Sequence, residues 1–179
     1  MAEYLKRGRE AGTQVDAQVR ERVATMLAEI ASRGDAAVRQ YSQSLDQHNP
    51  ASFRLDDEEI ARAISSVPAD LRAHIDAAAD NVRTFAQAQL GTLQGLEIEM
   101  APGQFLGHRL VPVTSVGAYI PGGRYPLISS ALMSILTGKV AGVERVVAMT
   151  APTADHLIAP ATLYAMTVAG ADEIYALGG

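Results

Sequence analysis

Between Val15 and Leu45 the apolar residues Val15, Val19, Val23, Met26, Leu27 and Ile30 recur at spacings of three and four, which places them on one face of a helix. Gly34 tolerates a positive φ and stops that helix. Asp35 can cap a second one carrying Val38, Tyr41 and Leu45, so the two form a helical hairpin that His48-Asn49-Pro50 ends. Asp56-Asp57-Glu58-Glu59 puts acid in the first turn of a third helix bearing Ile60 and Ile64, where the positive end of the macrodipole favours it. Pro68 opens a fourth helix that runs to about Leu90. Its stripe is Leu71, Ile75, Ala78, Val82 and Phe85, and Gly91 and Gly95 mark its end.

After Gly95 the pattern changes. Leu96 to Met100, Phe105 to Val113 and Val116 to Ile120 are short apolar or alternating runs separated by Pro and Gly, which suits strands. From Ser115 onward the order reads strand (Val116 to Ile120), helix (Pro126 to Ala141), strand (Arg145 to Thr150), helix (about Ala154 to Ala169) and strand (Glu173 to Leu177). Strands alternating with helices in this way predict a parallel sheet with right-handed crossovers. The fold class is therefore α/β: a helical N-terminal region, 1–95, followed by an incomplete Rossmann-like βαβαβ region, 96–179, truncated at its C-terminus. An exposed edge or apolar face at Glu173 to Leu177 is the aggregation liability such a sheet would carry.

Composition narrows the function classes. With 179 residues, 48% of them apolar, the chain can bury a core. Fifteen basic against 20 acidic residues leave a net charge of −5, which argues against nucleic acid as partner and for a small molecule or protein. No cysteine is present, which excludes disulfides, thiolate nucleophiles and Cys-based zinc sites. The first ten residues hold no apolar targeting segment, and later apolar runs are broken by Gly, Pro or charge well short of a membrane span, so a soluble cytoplasmic protein is expected.

The candidate chemistry gathers at one turn. Pro121-Gly122-Gly123 follows a strand and precedes a helix that can begin at Pro126, so its backbone could approach a phosphate facing a helix N-terminus. A tight turn without ligand is the plainer alternative, because the spacing is not G-x-G-x-x-G. Tyr119 near the strand end can pack in the core or present its ring to a cofactor. Arg124 is a planar cation suited to a carboxylate, phosphate or sulfonate, with a solvated surface arginine as its alternative. His48, His74, His108 and His156 have no zinc-site spacing, and none is assigned to metal. Ser129-Ser130 lacks a G-x-S-x-G elbow, against a serine hydrolase. Met133, Ile135, Leu136 and Val140 read as a buried helix face.

The run Val116-Gly117-Ala118-Tyr119-Ile120-Pro121-Gly122-Gly123, followed by Pro126-Leu127 and Lys139-Val140-Ala141-Gly142-Val143, resembles the G-x-Y-x-P-G-G signature of the histidinol dehydrogenase family. Gly34-Asp35-Ala36-Ala37-Val38 to Tyr41 and Ala169-Gly170-Ala171-Asp172-Glu173-Ile174-Tyr175 to Gly179 extend the similarity over most of the chain. Arg124-Tyr125 after the glycines, with Leu106-Gly107-His108-Arg109, is more similar to relatives that oxidise small hydroxy-sulfonates.

The resemblance implies an NAD-dependent, zinc-dependent alcohol dehydrogenase, homodimeric when complete, of which this chain forms less than half. The substrate it suggests is 2,3-dihydroxypropane-1-sulfonate or a similar anionic alcohol. Histidinol, or a non-catalytic α/β binding module, is the alternative. Tyr119, Pro121, Gly122 and Gly123 would contact NAD, and Arg124 the substrate. The family's zinc ligands and its Glu-His acid-base pair correspond to positions after Gly179, so no catalytic or metal residue is assigned here, and the chain alone is expected to be inactive.

Overall fold

The computed structural model describes residues 13–122, 125–153 and 158–178. The chain divides into two compact units, Met1–Leu45 and Asp46–Gly179. In the first, α1 (Thr13–Arg33) meets α2 (Asp35–Asp46) at Gly34, whose φ of +57° makes the corner. The Glu29 carboxylate ties the hairpin together by accepting from the Tyr41 hydroxyl at 2.8 Å and from Arg33 at 3.3 Å. That hydrogen bond raises the Tyr41 pKa, since losing the phenol proton would place two anions together. The apolar stripe of α1 is present as expected, but Val19, Val23 and Leu27 lie in solvent.

The second unit begins with α3 (Asp57–Ser65). Asp56 caps it, with its carboxylate on the Glu59 N–H and the Glu59 carboxylate on its own N–H. Arg72, near the start of α4 (Ala69–Thr92), donates to the carbonyls of Ile64 and Val67 that close α3. The same guanidinium sits 5.8 Å from the ring centroid of Tyr164, whose hydroxyl donates to Asp76 at 2.8 Å. Of the expected stripe of α4, Leu71, Ile75 and Val82 face the core, but Ala78 is exposed and Phe85 is 67% exposed, their places taken by the next residues, the buried Ala79 and Ala86. Alanines at the contact let α4 approach its neighbouring helices closely, and a phenylalanine there would hold them apart.

Next come β1 (Leu96–Ala101) and β2 (Gln104–His108), an antiparallel hairpin whose residues are all exposed. The extended run expected to Val113 pairs only as far as His108. Then β3 (Ser115–Tyr119), β4 (Arg145–Thr150) and β5 (Glu173–Ala176) form a parallel sheet in sequence order, so both crossovers run the same way. The first crossover is one continuous helix, 128–140, made of α5 (Ile128–Ala131), a π turn (Leu132–Leu136) and α6 (Thr137–Val140). It starts at Ile128 rather than Pro126. The second crossover is α7 (Pro160–Ala169), and part of the expected Ala154 start lies outside the described residues.

Helices and sheet share one core. Ala118 and Ile120, then Val146 and Ala148, then Ile174 and Ala176 point to it from the three strands, and Leu132, Ile135, Leu136, Leu163 and Met166 fill it from the helices. Each of those larger side chains contributes about 1.5–3 kcal/mol by leaving water. Met133 was expected on this face but is 62% exposed: Leu132, one residue earlier, takes the inward position with Ile135 and Leu136.

The edge of β5 is not bare, contrary to the sequence expectation. Residues 53–55 lie antiparallel to it, with Leu55 N–H on the Ile174 carbonyl at 2.9 Å and Ala176 N–H on the Phe53 carbonyl at 2.8 Å. Arg54 and Arg145 flank the Glu173 carboxylate, which also accepts from Tyr175. The Arg145 hydrogen bond, foremost, holds its pKa below the usual range. At the amino end of the sheet, Lys139 and the N–H of Val146 both reach Asp172. No helix among the described residues is long and apolar enough to cross a membrane.

Candidate functional site

The carboxyl edge of a parallel sheet is where open α/β folds place ligands, because the strand ends and the helix N-termini converge there. β3 delivers Tyr119 to that edge, in register with Met149 of β4, which is in register with Tyr175 of β5. The row lies on the face turned away from the core, since alternate residues on each strand, Ala118, Ala148 and Ile174, enter the core cluster. Tyr119 is 43% exposed, so of its two sequence readings the geometry favours a presented ring.

Three residues further, Gly122 faces the core side of the same edge. A Cβ there would stand 2.6 Å from Oγ1 of Thr150, the last residue of β4. The backbone therefore passes this threonine at a distance that only glycine permits. Pro121 is exposed beside it, and Gly123 and Arg124 lie outside the described residues.

A cavity of about 90 Å³ opens against Gly122, with Tyr125 and Pro126 on one wall and Thr150, Ala151, Thr153, Ile158, Ala159 and Thr162 on the others. The helix whose first turn faces the glycine is thus α7, not the one that follows the turn in sequence. Thr150 and Thr162 are 2% and 3% exposed, and no spacing in the sequence links them to Gly122. The one available signal was Thr150 itself, a hydroxyl at a strand position whose same-face predecessors are Val146 and Ala148. A larger cavity of about 560 Å³ lies on the other side of Ile158 and Ala159, against Phe53, Leu55, Ala63 and Ala176.

Tyr119 and Gly122 therefore share an edge but not a cavity. A molecule lying across the edge would meet the tyrosine ring on one side and the glycine backbone and threonines on the other. That suits an extended ligand with a flat ring at one end, while the space that a Cβ at Gly122 would fill is already taken by the Thr150 side chain. Among the described residues, no group of three or more His, Cys, Asp or Glu side chains could hold a metal ion, so these residues do not form a zinc site.

A three-stranded parallel sheet with helical crossovers, and a glycine turn at its carboxyl edge, defines an open α/β class of fold. Within that class the chain belongs to the histidinol dehydrogenase family, whose model matches residues 9–179. A histidinol dehydrogenase homologue of Shouchella clausii is 48% identical over 181 residues, covering 100% of this chain and 42% of the relative. The sulfopropanediol 3-dehydrogenase of Ruegeria pomeroyi is 41% identical over 177 residues, covering 99% of this chain and 40% of the relative. The crystal structure of histidinol dehydrogenase from Elizabethkingia anophelis superposes with a TM-score of 0.83 at 29% identity, over 97% of this chain and 39% of that one. The chain thus spans about two-fifths of the length of the relatives it matches.

Proposed function

We propose that this chain forms the cofactor-holding part of an NAD-dependent alcohol dehydrogenase that oxidises a small anionic alcohol, with 2,3-dihydroxypropane-1-sulfonate as the substrate. The observation that carries the cofactor assignment is the presented Tyr119 ring at the same strand end as Gly122 and its close passage of Thr150. NAD supplies the hydride acceptor. Tyr119 offers a face for a planar ring, and Pro121, Gly122 and Gly123 are the further residues assigned to the cofactor. Arg124 would engage the anionic end of the substrate. The Ruegeria pomeroyi relative, similar over nearly the whole chain, supports the sulfonate.

Histidinol as substrate is the second reading, favoured by the overlay on the Elizabethkingia anophelis enzyme. In either case zinc belongs to the complete enzyme, for which these described residues offer no ligand set. The reading includes a cytoplasmic homodimer, with the 179 residues binding cofactor without turnover.

Calorimetric titration of NAD into the chain tests the cofactor. Tyr119→Ala is expected to weaken binding about tenfold with only a modest change in thermal stability, because the residue is 43% exposed and outside the core cluster, whereas Tyr119→Phe keeps the affinity. No NAD binding by the wild type would end the reading. For the substrate, the chain is joined to the remaining part of the Shouchella clausii relative, and NADH formation is followed with each alcohol. Turnover of histidinol alone would select the second reading.

A further inference from the structure

We propose that Met149 is a positioning residue for the Tyr119 ring, seated by the room that Gly117 leaves on β3; the inference rests on the reading above that this ring meets the cofactor. Gly117 is the middle residue of β3, and its φ lies outside the left-handed region, so the backbone there does not call for glycine. A glycine inside a strand weakens it, and marks a place where a neighbour comes close. That neighbour is Met149. A Cβ built on Gly117 would stand 3.5 Å from its Cε, the only described atom within 4 Å apart from the chain neighbours.

Met149 is in register with Tyr119, whereas Gly117 is in register with Val147. The methionine side chain therefore crosses from β4 to β3 and runs back toward the amino end of the sheet, where its methyl ends over Gly117. Residues 117, 119 and 149 share the face opposite the core, since Ala118 and Ala148 enter the core cluster. Adjacent strands are about 4.8 Å apart, so a thioether anchored in this way fills the space on the β4 side of the Tyr119 ring. Tyr175, in register on β5 with its hydroxyl on Glu173, closes the row beyond it. Sulfur beside an aromatic ring is an attractive contact. The rotamers that would fold the ring down over β4 are taken by the methionine, which leaves the ring raised at the carboxyl edge, where it is 43% exposed. Gly117 thus serves Tyr119 at one remove: a branched side chain at 117 would displace the methyl, and the ring would lose its support.

The test has two arms on the intact chain. By NMR, with Met149 assigned through Met149→Leu, nuclear Overhauser contacts are expected from the Met149 side chain to Gly117 Hα and to the Tyr119 ring. Contacts to Gly117 with none to the ring overturn the proposal. By calorimetric titration of NAD, Met149→Ala is expected to lose about fivefold in affinity, while Met149→Leu, which keeps the volume, stays within about twofold of the wild type. Gly117→Ala only reaches ordinary contact with the methyl and should bind as the wild type does, whereas Gly117→Val should weaken binding as Met149→Ala does. Because both act through one side chain, Gly117→Val with Met149→Ala should cost no more than either alone, and additive losses count against the proposal. If NAD binds and Met149→Ala loses thermal stability but no affinity, the positioning role falls and the cofactor reading survives. If NAD does not bind while the contacts to the ring are present, Met149 still holds the ring and the cofactor reading falls.

Discussion

Lys139 places its ammonium 2.9 Å from the Asp172 carboxylate, joining the end of the 128–140 helix to the residue before β5 across 33 positions of sequence. The same carboxylate accepts the N–H of Val146 at 2.6 Å, and Lys139 also donates to the Glu144 carbonyl. One ion pair thus fixes helix, β4 and β5 at the end of the sheet remote from the ligand edge.

Because Asp172 serves both a backbone donor and a cation, its removal should cost more than that of the lysine. Asp172→Ala is expected to lose about 1–2 kcal/mol, since a partly buried N–H is left unpaired. Lys139→Met should lose about 0.5–1 kcal/mol, because the pair is partly open to solvent. Urea denaturation of the two variants measures both, and equal losses would contradict the ranking.

The same carboxylate sets an acid dependence. Its pKa lies below the ordinary 3.8, first through the Val146 N–H and then through Lys139. A lowered folded-state pKa contributes stability that is fully present above the ordinary value and is lost as pH falls through the folded one. Glu173, lowered foremost by Arg145, acts in the same sense. Unfolding followed from pH 6 downward should therefore show stability declining in the acid range below the ordinary carboxylate values, with a shallower decline in Asp172→Asn.

At the ligand edge the expected effect is coupling. Gly122→Ala drives a methyl to 2.6 Å from Thr150 Oγ1, on a β-branched side chain with few alternatives. A loss of about 1–3 kcal/mol is expected. In Gly122→Ala with Thr150→Ala most of it should return, because the obstructing oxygen is gone. Additive losses in the double-mutant cycle would mean that the glycine is needed for a different reason.

The strand cover at 53–55 predicts a solubility phenotype. Leu55→Pro removes the N–H that meets the Ile174 carbonyl, whereas Leu55→Ala keeps it and removes only packing. Light scattering should show concentration-dependent association of the proline variant beyond that of the alanine variant.

The alternation of strand and helix after residue 115 was legible because glycines and prolines punctuate it, and the acidic run Asp56 to Glu59 announced α3. Helix phase was less legible. Large apolar residues at the right spacing, such as Phe85 and Met133, drew the expected stripes toward themselves, while the packed contact chose Ala79 and Leu132. Residue size favours burial in general, but close helix approach favours small residues at particular points. At the site, Tyr119 and Gly122 stood out in a local motif. Thr150 and Thr162 did not, because only the sheet and its second crossover bring positions 122, 150 and 162 to one cavity.

The π turn at 132–136 amounts to one residue more than a regular helix of that span requires. Each helical residue advances the phase by about 100°, so the turn works as a gear between the two ends of the 128–140 helix. It sets the phase of the start of the helix, at the ligand edge, against that of its end, where Lys139 meshes with Asp172 one turn later. The ligand edge and the opposite end of the sheet are therefore timed by one helix, and a single-residue change in its length would set them out of step.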